Sequence, residues 1–255
     1  MDPDPLELFR LDGRVAIVTG ASSGLGRRFA CVLHAAGAVV VAAARRVDRL
    51  EELADELPGV VAVGCDVTSG DDLEQLVGRA LDAGGRIDIL VNNAGTSGPM
   101  PAEDEPLEHF REIVDVNLNA LFALTQIVGR RMLEQGRGSI VNVASMLGLV
   151  ASSPIKQASY TASKGGVVNL TRQLGCEWGR RGVRVNAIAP GWFPSEMTAD
   201  MWSDEGSLAF IARNAPMGRG GEEHELDGAL LYLASDASSY VTGQILAVDG
   251  GWTAR

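Results

Sequence analysis

Apolar and polar positions follow two rhythms in this chain, and the rhythms alternate from end to end. Residues 14–20 (RVAIVTG) are a short β-branched and apolar run closed by Gly. Residues 24–37 then place Phe29, Leu33 and Ala36 on one helical face, with Gly37 suited to a C-cap. The exchange repeats. Further strands are predicted at 38–46, 59–67, 86–95, 138–145, 182–191 and 244–250. Helices are predicted at 48–57, 69–83, 107–135, 159–180 and 222–234, the second opening on Asp71 and Asp72, which suit a helix N-terminus. Residues 192–221 lack a steady rhythm and are expected to form a lid. Residues 1–12 are expected to be a flexible tail.

Several strand runs are apolar at nearly every position rather than at alternate ones. Such strands are covered on both faces, which predicts a mostly parallel sheet with helices on either side. The expected fold is therefore α/β: one doubly wound Rossmann-type domain over residues 1–255, with seven strands. Ligands of such sheets sit beyond the carboxyl ends of the strands, so chemistry is sought there.

Composition narrows the function classes. Hydrophobic residues make up 46% and charged residues 22%, values of a globular chain. The formal charge of −11 argues against a nucleic-acid binder, which usually presents a basic face. No apolar run approaches the ~18 residues of a membrane span. The acidic opening MDPDPLELFR lacks an apolar stretch, so no signal peptide is expected. Three separated cysteines (Cys31, Cys65, Cys176) read as free thiols in a reducing, cytoplasmic setting. His34, His109 and His224 stand apart, so no metal is expected.

Two motifs carry chemistry. TGASSGLG joins the first strand to the first helix, bringing Gly20, Ser22, Ser23, Gly24, Leu25 and Gly26 to a strand end. Small residues let backbone approach a phosphate, and a helix N-terminus offers N–H groups to it. The glycine spacing would arise by chance about 0.4 times in this chain, so its position at the first strand–helix junction is what makes it a dinucleotide loop. The second motif is Tyr160 and Lys164, four residues apart and therefore on one helix face. Only two of the 22 basic residues are Lys, and a chance Tyr–Lys pair at this spacing is expected about 0.02 times. A nearby ammonium is expected to lower the phenol pKa and fit it for general acid–base work.

With NNAG at residues 92–95, the chain resembles the short-chain dehydrogenase/reductase family, from LDGRVAIVTG to the final VDGGW. The resemblance implies that Asp66 and Val67 flank an adenine, and that Asn93, Ala94 and Gly95 line a ribose. It implies a catalytic set of Asn117, Ser145, Tyr160 and Lys164. In that set Tyr160 exchanges the proton, Ser145 orients the substrate oxygen, Lys164 holds the nicotinamide ribose and Asn117 holds a relay water. It also implies that Pro190, Gly191, Phe193 and Ser195 meet the nicotinamide and open the lid, and that the chain forms a homotetramer through its long helices and final strand. Ser145 and Tyr160 stand 15 residues apart, two more than in many members. The added length is assigned to residues 146–159, expected to wall the substrate pocket.

The carboxylate that binds an NAD ribose in many such folds would fall at Ala44, which cannot do so. Arg45 and Arg46 follow and suit a 2′-phosphate, so NADP(H) is the expected cofactor and NAD(H) the alternative. The expected reaction moves a hydride between NADP(H) and a carbonyl or secondary alcohol. PGWFPSEMT resembles gluconate 5-dehydrogenase-like members, with Trp192, Phe193, Met197, Met201 and Trp202 as candidate pocket residues. A 3-oxoacyl thioester reductase is the alternative. It would need a basic patch for its carrier, to which Arg130, Arg131 and Arg172 could contribute. A non-catalytic NAD(P) sensor is the alternative from another class.

Overall fold

The computed structural model describes residues 4–254. Seven strands form one sheet in the order β3-β2-β1-β4-β5-β6-β7. They are β1 (Val15–Thr19), β2 (Val39–Ala44), β3 (Val61–Gly64), β4 (Ile89–Asn92), β5 (Gly138–Val143), β6 (Val183–Pro190) and β7 (Ile245–Val248). Every pairing is parallel, so the sheet is wholly rather than mostly parallel. The order reverses between β1 and β4, which opens a crevice at their carboxyl ends.

The two faces of the sheet explain the continuous apolar runs. Ala16 and Val18 of β1 pack on one side with Phe29 and Leu33 of α1 (Gly24–Ala35). Leu50 of α2 (Val47–Glu56) and Leu230 of α9 (Asp227–Ala234) share that layer. Val15 and Ile17 pack on the other side with Leu76 of α3 (Gly70–Gly84) and Leu124 of α5 (Ala120–Gln135). Successive side chains of a strand point to opposite faces, so a two-layered cover requires an apolar residue at each position. Each fully buried Val, Ile, Leu or Phe among them contributes roughly 1.5–3 kcal/mol before entropy is counted.

A polar ladder runs through this core. Asn92 and Asn142 are register partners on β4 and β5. Asn92 Nδ2 donates to Asn142 Oδ1 (2.9 Å) and Thr125 Oγ1 (2.8 Å), and Asn142 Nδ2 donates to Thr171 Oγ1 (2.9 Å). Thr125 is on α5 and Thr171 on α6 (Ala158–Trp178), so the ladder fixes both helices against the central strands. Buried amides are stabilising only when so satisfied, which makes the docking of α6 specific.

Three expectations need correction. The predicted helix 107–135 is interrupted: α4 (Leu107–Val114) passes through a π-helical turn (Asp115–Asn119) before α5. Widened turns of this kind occur often at functional sites. The region 192–221 is more regular than expected, holding α7 (Ala199–Trp202) and α8 (Glu205–Asn214), the latter capped by Asp204, which accepts from Ser207 N. The expected tail is shorter than 1–12. Glu7–Phe9 form a 3-10 turn, Leu11 is fully buried and its N–H donates to Ala36 O (2.9 Å); residues 1–3 lie outside the described residues.

Candidate active site

A cleft of ≈ 930 Å³ opens at the carboxyl ends of the strands, within the usual size of a cofactor site. The glycine loop forms its floor. Gly20 (φ +67°) and Gly24 (φ +49°) occupy the left-handed region that glycine tolerates. A Cβ on Gly26 would lie 2.1 Å from Gly20 O and 2.4 Å from Asn93 Nδ2, so helix α1 approaches the loop as closely as backbone allows. Ser23 is the N-cap of α1, yet its side chain does not cap the helix. Asn93 welds β4 to this loop: its N–H donates to Thr19 Oγ1 (3.0 Å) and its Nδ2 to Thr19 O (2.9 Å). Ala94 N donates to the same hydroxyl (3.0 Å). This cradle of small residues and exposed helix terminus fits a dinucleotide pyrophosphate.

At one end of the cleft lie Ala44, Arg45, Arg46, Asp66 and Val67. Asp66 accepts from Thr68 N (2.9 Å) and Thr68 Oγ1 (2.7 Å), bonds that hold its carboxyl below its ordinary pKa. Arg45 is exposed, whereas Arg46 is half-buried and donates to Ser22 Oγ and Ser23 Oγ.

The other end holds the predicted reactive groups. Ser145 follows β5, while Tyr160 and Lys164 project from α6, and all three line the cleft. Ser145 lies beside the Tyr160 phenol and accepts from Leu147 N (3.1 Å). Lys164 is buried, its Nζ donating to Val143 O (2.8 Å) and lying 5.8 Å from the Tyr160 ring centroid. Burial lowers the Lys164 pKa to about 8. Burial also raises the Tyr160 pKa, opposed only by the neighbouring Ser145 hydroxyl. The expected lowering of the phenol by its lysine is therefore absent from the free site, where desolvation sets the direction.

Asn117 is fully buried in the π-helical turn. Its Oδ1 accepts from Thr96 N (2.8 Å), and its Nδ2 donates to Thr96 O (2.9 Å) and Ser163 Oγ (3.1 Å). Its amide is engaged by protein rather than open to the cleft, and it ties the loop after β4 to α6 between Tyr160 and Lys164. Gly95 packs closely beside it, since a Cβ there would lie 3.2 Å from Asn117 Oδ1.

Pro190, Gly191, Phe193 and Ser195 line the cleft where β6 ends, together with Met197. Trp192, Met201 and Trp202 do not. Trp192 packs edge-on against Trp252 (5.8 Å between centroids), and Trp202 Nε1 donates to Thr198 Oγ1 (3.2 Å). These are packing residues of the lid. The loop 146–159 is also one step back from the cleft, whose lining passes from Ser145 to Tyr160. It is strapped to the loop after β4 instead: Met100 N donates to Lys156 O (2.8 Å), Met100 and Gln157 form a parallel bridge, and Lys156 pairs with Glu103 (3.4 Å).

The site also uses side chains that no sequence pattern singled out, among them Thr19, Thr96, Ser163, Arg49, Glu196 and His109. His109 lines the cleft and pairs through Nδ1 with Glu105 (2.9 Å). Thr19, within the TGASSGLG motif, was the one with a signal to hand.

Comparison with known proteins agrees with this geometry. A family model described as Enoyl-(Acyl carrier protein) reductase matches residues 20–253. A crystal structure of a short-chain type dehydrogenase/reductase from Mycobacterium marinum superposes with a TM-score of 0.94 at 38% identity, covering 99% of this chain and 100% of that one. The chain belongs to the short-chain dehydrogenase/reductase family. It is thus an oxidoreductase of the nicotinamide-dependent, short-chain type. It is 42% identical over 248 residues to galactitol 2-dehydrogenase (L-tagatose-forming) of Cereibacter sphaeroides, covering 96% of this chain and 97% of that protein. It is also similar to a putative NAD(P) dependent gluconate 5-dehydrogenase from Beutenbergia cavernae, crystallised with NADP at low occupancy. That likeness has 43% identity and a TM-score of 0.89, covering 97% of this chain and 100% of that one. No helix among the described residues is long and apolar enough to cross a membrane.

Proposed function

We propose that the chain interconverts a secondary alcohol and a carbonyl with NADP(H), Tyr160 exchanging the proton. One observation carries the reading: Ser145, Tyr160 and Lys164 share a cleft with the glycine cradle, at the end away from Arg45 and Arg46. The cradle at Gly20, Gly24 and Gly26 holds the pyrophosphate, and Arg45 and Arg46 read the 2′-phosphate in the place where Ala44 offers no carboxylate. When bound, the nicotinamide supplies or accepts the hydride.

The chain's own groups do the rest. The Ser145 hydroxyl fixes the substrate oxygen beside the phenol. Because burial raises its pKa, Tyr160 stays protonated at neutral pH and donates from Oη to that oxygen as a carbonyl is reduced. Lys164, with a pKa lowered to about 8, holds the nicotinamide ribose. Asn117 positions Thr96 and Ser163 around both.

A polyol or sugar acid is the favoured substrate. Thr96, Ser97, Ser145 and His109 give the cleft hydrogen-bonding walls, and the similar proteins named above are a galactitol and a gluconate dehydrogenase. Exposed Phe122 on α5 and Leu246 on the edge strand β7 support a homotetramer. Arg130, Arg131 and Arg172 are exposed, so a carrier-bound 3-oxoacyl thioester is the second reading.

The test follows loss of NADPH or NADH absorbance with pooled keto-sugars, keto-sugar acids and 3-oxoacyl thioesters. Turnover favouring NADPH and a keto-sugar pool is expected. A preference for NADH would refute the reading of Arg45 and Arg46, and exclusive thioester turnover would replace the substrate.

A further inference from the structure

The segment after β6 serves the nicotinamide end, yet one of its side chains reaches the opposite end of the cleft. Ser195 lies over the glycine loop, its Cβ 3.4 Å from where a Cβ on Gly24 would sit. The next residue, Glu196, opens the 3-10 turn Glu196–Thr198. Its carboxylate accepts from Arg46 Nη1 (3.0 Å) and Nη2 (2.7 Å), from Ser23 Oγ (2.8 Å) and from Arg49 Nη1. These groups belong to the glycine loop, the end of β2 and the first turns of α2, some 150 residues away in sequence.

We propose that Glu196 is a cofactor-selectivity latch: a lid carboxylate that occupies the Arg46 fork which reads the 2′-phosphate, so NADP(H) must displace it and NAD(H) need not. The inference rests on the reading of Arg46 as the 2′-phosphate reader. A guanidinium presents its paired N–H groups in one plane and binds carboxylate and phosphate through the same fork. Arg46 already spends its Nε on Ser22 (3.2 Å) and gives both terminal nitrogens to Glu196. A phosphate arriving at that edge meets a filled fork. Arg45, exposed beside Asp66, is the adjacent guanidinium to which the phosphate can bind first. An isolated surface ion pair contributes little. Two arginines and a serine hydroxyl converging on one carboxylate are a network, and they hold the Glu196 pKa at about 2, so the latch stays charged at any physiological pH.

Because the latch is part of the lid, its release has a second readout. Glu196 fastens the start of the lid to the cofactor loop, so freeing it loosens residues 195–202 in the ligand-free protein.

The experiment is calorimetric titration of the full chain with NADP+ and NAD+ in the absence of substrate, comparing wild type with Glu196→Gln. The variant is expected to bind NADP+ about ten-fold more tightly, as one charge-assisted contact is no longer displaced. Binding of NAD+ should change by less than about two-fold, since it makes no demand on the fork. Backbone hydrogen exchange at residues 195–202 should quicken in the ligand-free variant. Equal changes for both dinucleotides, or no tightening of NADP+, overturn the latch. Arg46→Ala separates this failure from that of the cofactor reading. If the wild type prefers NADP+ and Arg46→Ala abolishes the preference while Glu196→Gln leaves it unaltered, only the latch is wrong. If Arg46→Ala alters neither affinity, the basis is wrong as well.

Discussion

The two walls of the cleft are built by different means. Ser145, Tyr160 and Lys164 stand on a central strand end and on one 21-residue helix, locked together by the Asn92–Asn142–Thr125–Thr171 ladder. The lid facing them consists of short helices held by side-chain contacts: Trp202 on Thr198, Trp192 on Trp252 and Glu196 on Arg46. The first wall is held within a continuous core, where reactive groups keep their geometry. The second can release in pieces, as a segment that admits cofactor and substrate must. Chemistry is placed where the backbone is over-determined, and access where it is not.

The comparison breaks most visibly at the phenol. Tyr160→Phe should lower turnover roughly 10²–10⁴-fold while leaving dinucleotide binding intact, measured by steady-state rates beside calorimetry. Retained turnover would remove Tyr160 from the chemistry. Next is the cradle. Gly26→Ala drives a methyl group into Gly20 O and the Asn93 amide, so it should destabilise the fold by about 1–3 kcal/mol and weaken both dinucleotides together. Thermal unfolding with and without NADP+ reports both effects.

The pH profile sharpens the contrast between directions. The phenol pKa is raised, so the protonated form persists through neutral pH and carbonyl reduction should be flat there. Alcohol oxidation needs phenolate, so it should climb with pH. The climb should bend above about 8, where Lys164 loses the charge with which it grips the nicotinamide ribose. A bell centred at neutral pH in the oxidative direction would contradict this assignment. The smallest effect is expected in the lid. Trp202→Phe removes one bond to Thr198 and should cost about 0.5–1.5 kcal/mol locally, raising KM for substrate a few-fold with little change in kcat.

The two walls also differ in how much of them the sequence discloses. Tyr160 and Lys164 are four residues apart, and helix geometry alone places them together. The all-apolar strands announce a sheet covered on both faces. The π-helical turn at Asp115–Asn119 is hidden because one extra residue in a turn barely disturbs a 3.6-residue period across 29 positions. Asn117 could be named by resemblance, but its bonds to Thr96 and Ser163 belong to tertiary structure. Helix α8 is short and buries only Ile211, so its periodic signal is weak. Its Asp204 cap is the one local signal for it. Glu196 is the extreme case, since its partners lie at positions 23, 46 and 49 and no local pattern points to them. The raised phenol pKa is hidden for the same reason: the cation is visible in sequence, the desolvation is not.

The strap between Met100 and Gln157 makes the loops at 96–103 and 149–157 a matched pair. A chimaera that imports the second loop from a relative of different length, leaving the first in place, inherits a mismatched hydrogen-bond register at Met100 N and Lys156 O. Recombination between family members should therefore keep activity only where both loops cross over together. For engineering, the unit of exchange on the substrate side is the pair of loops, although more than 50 positions of chain separate their bridging residues.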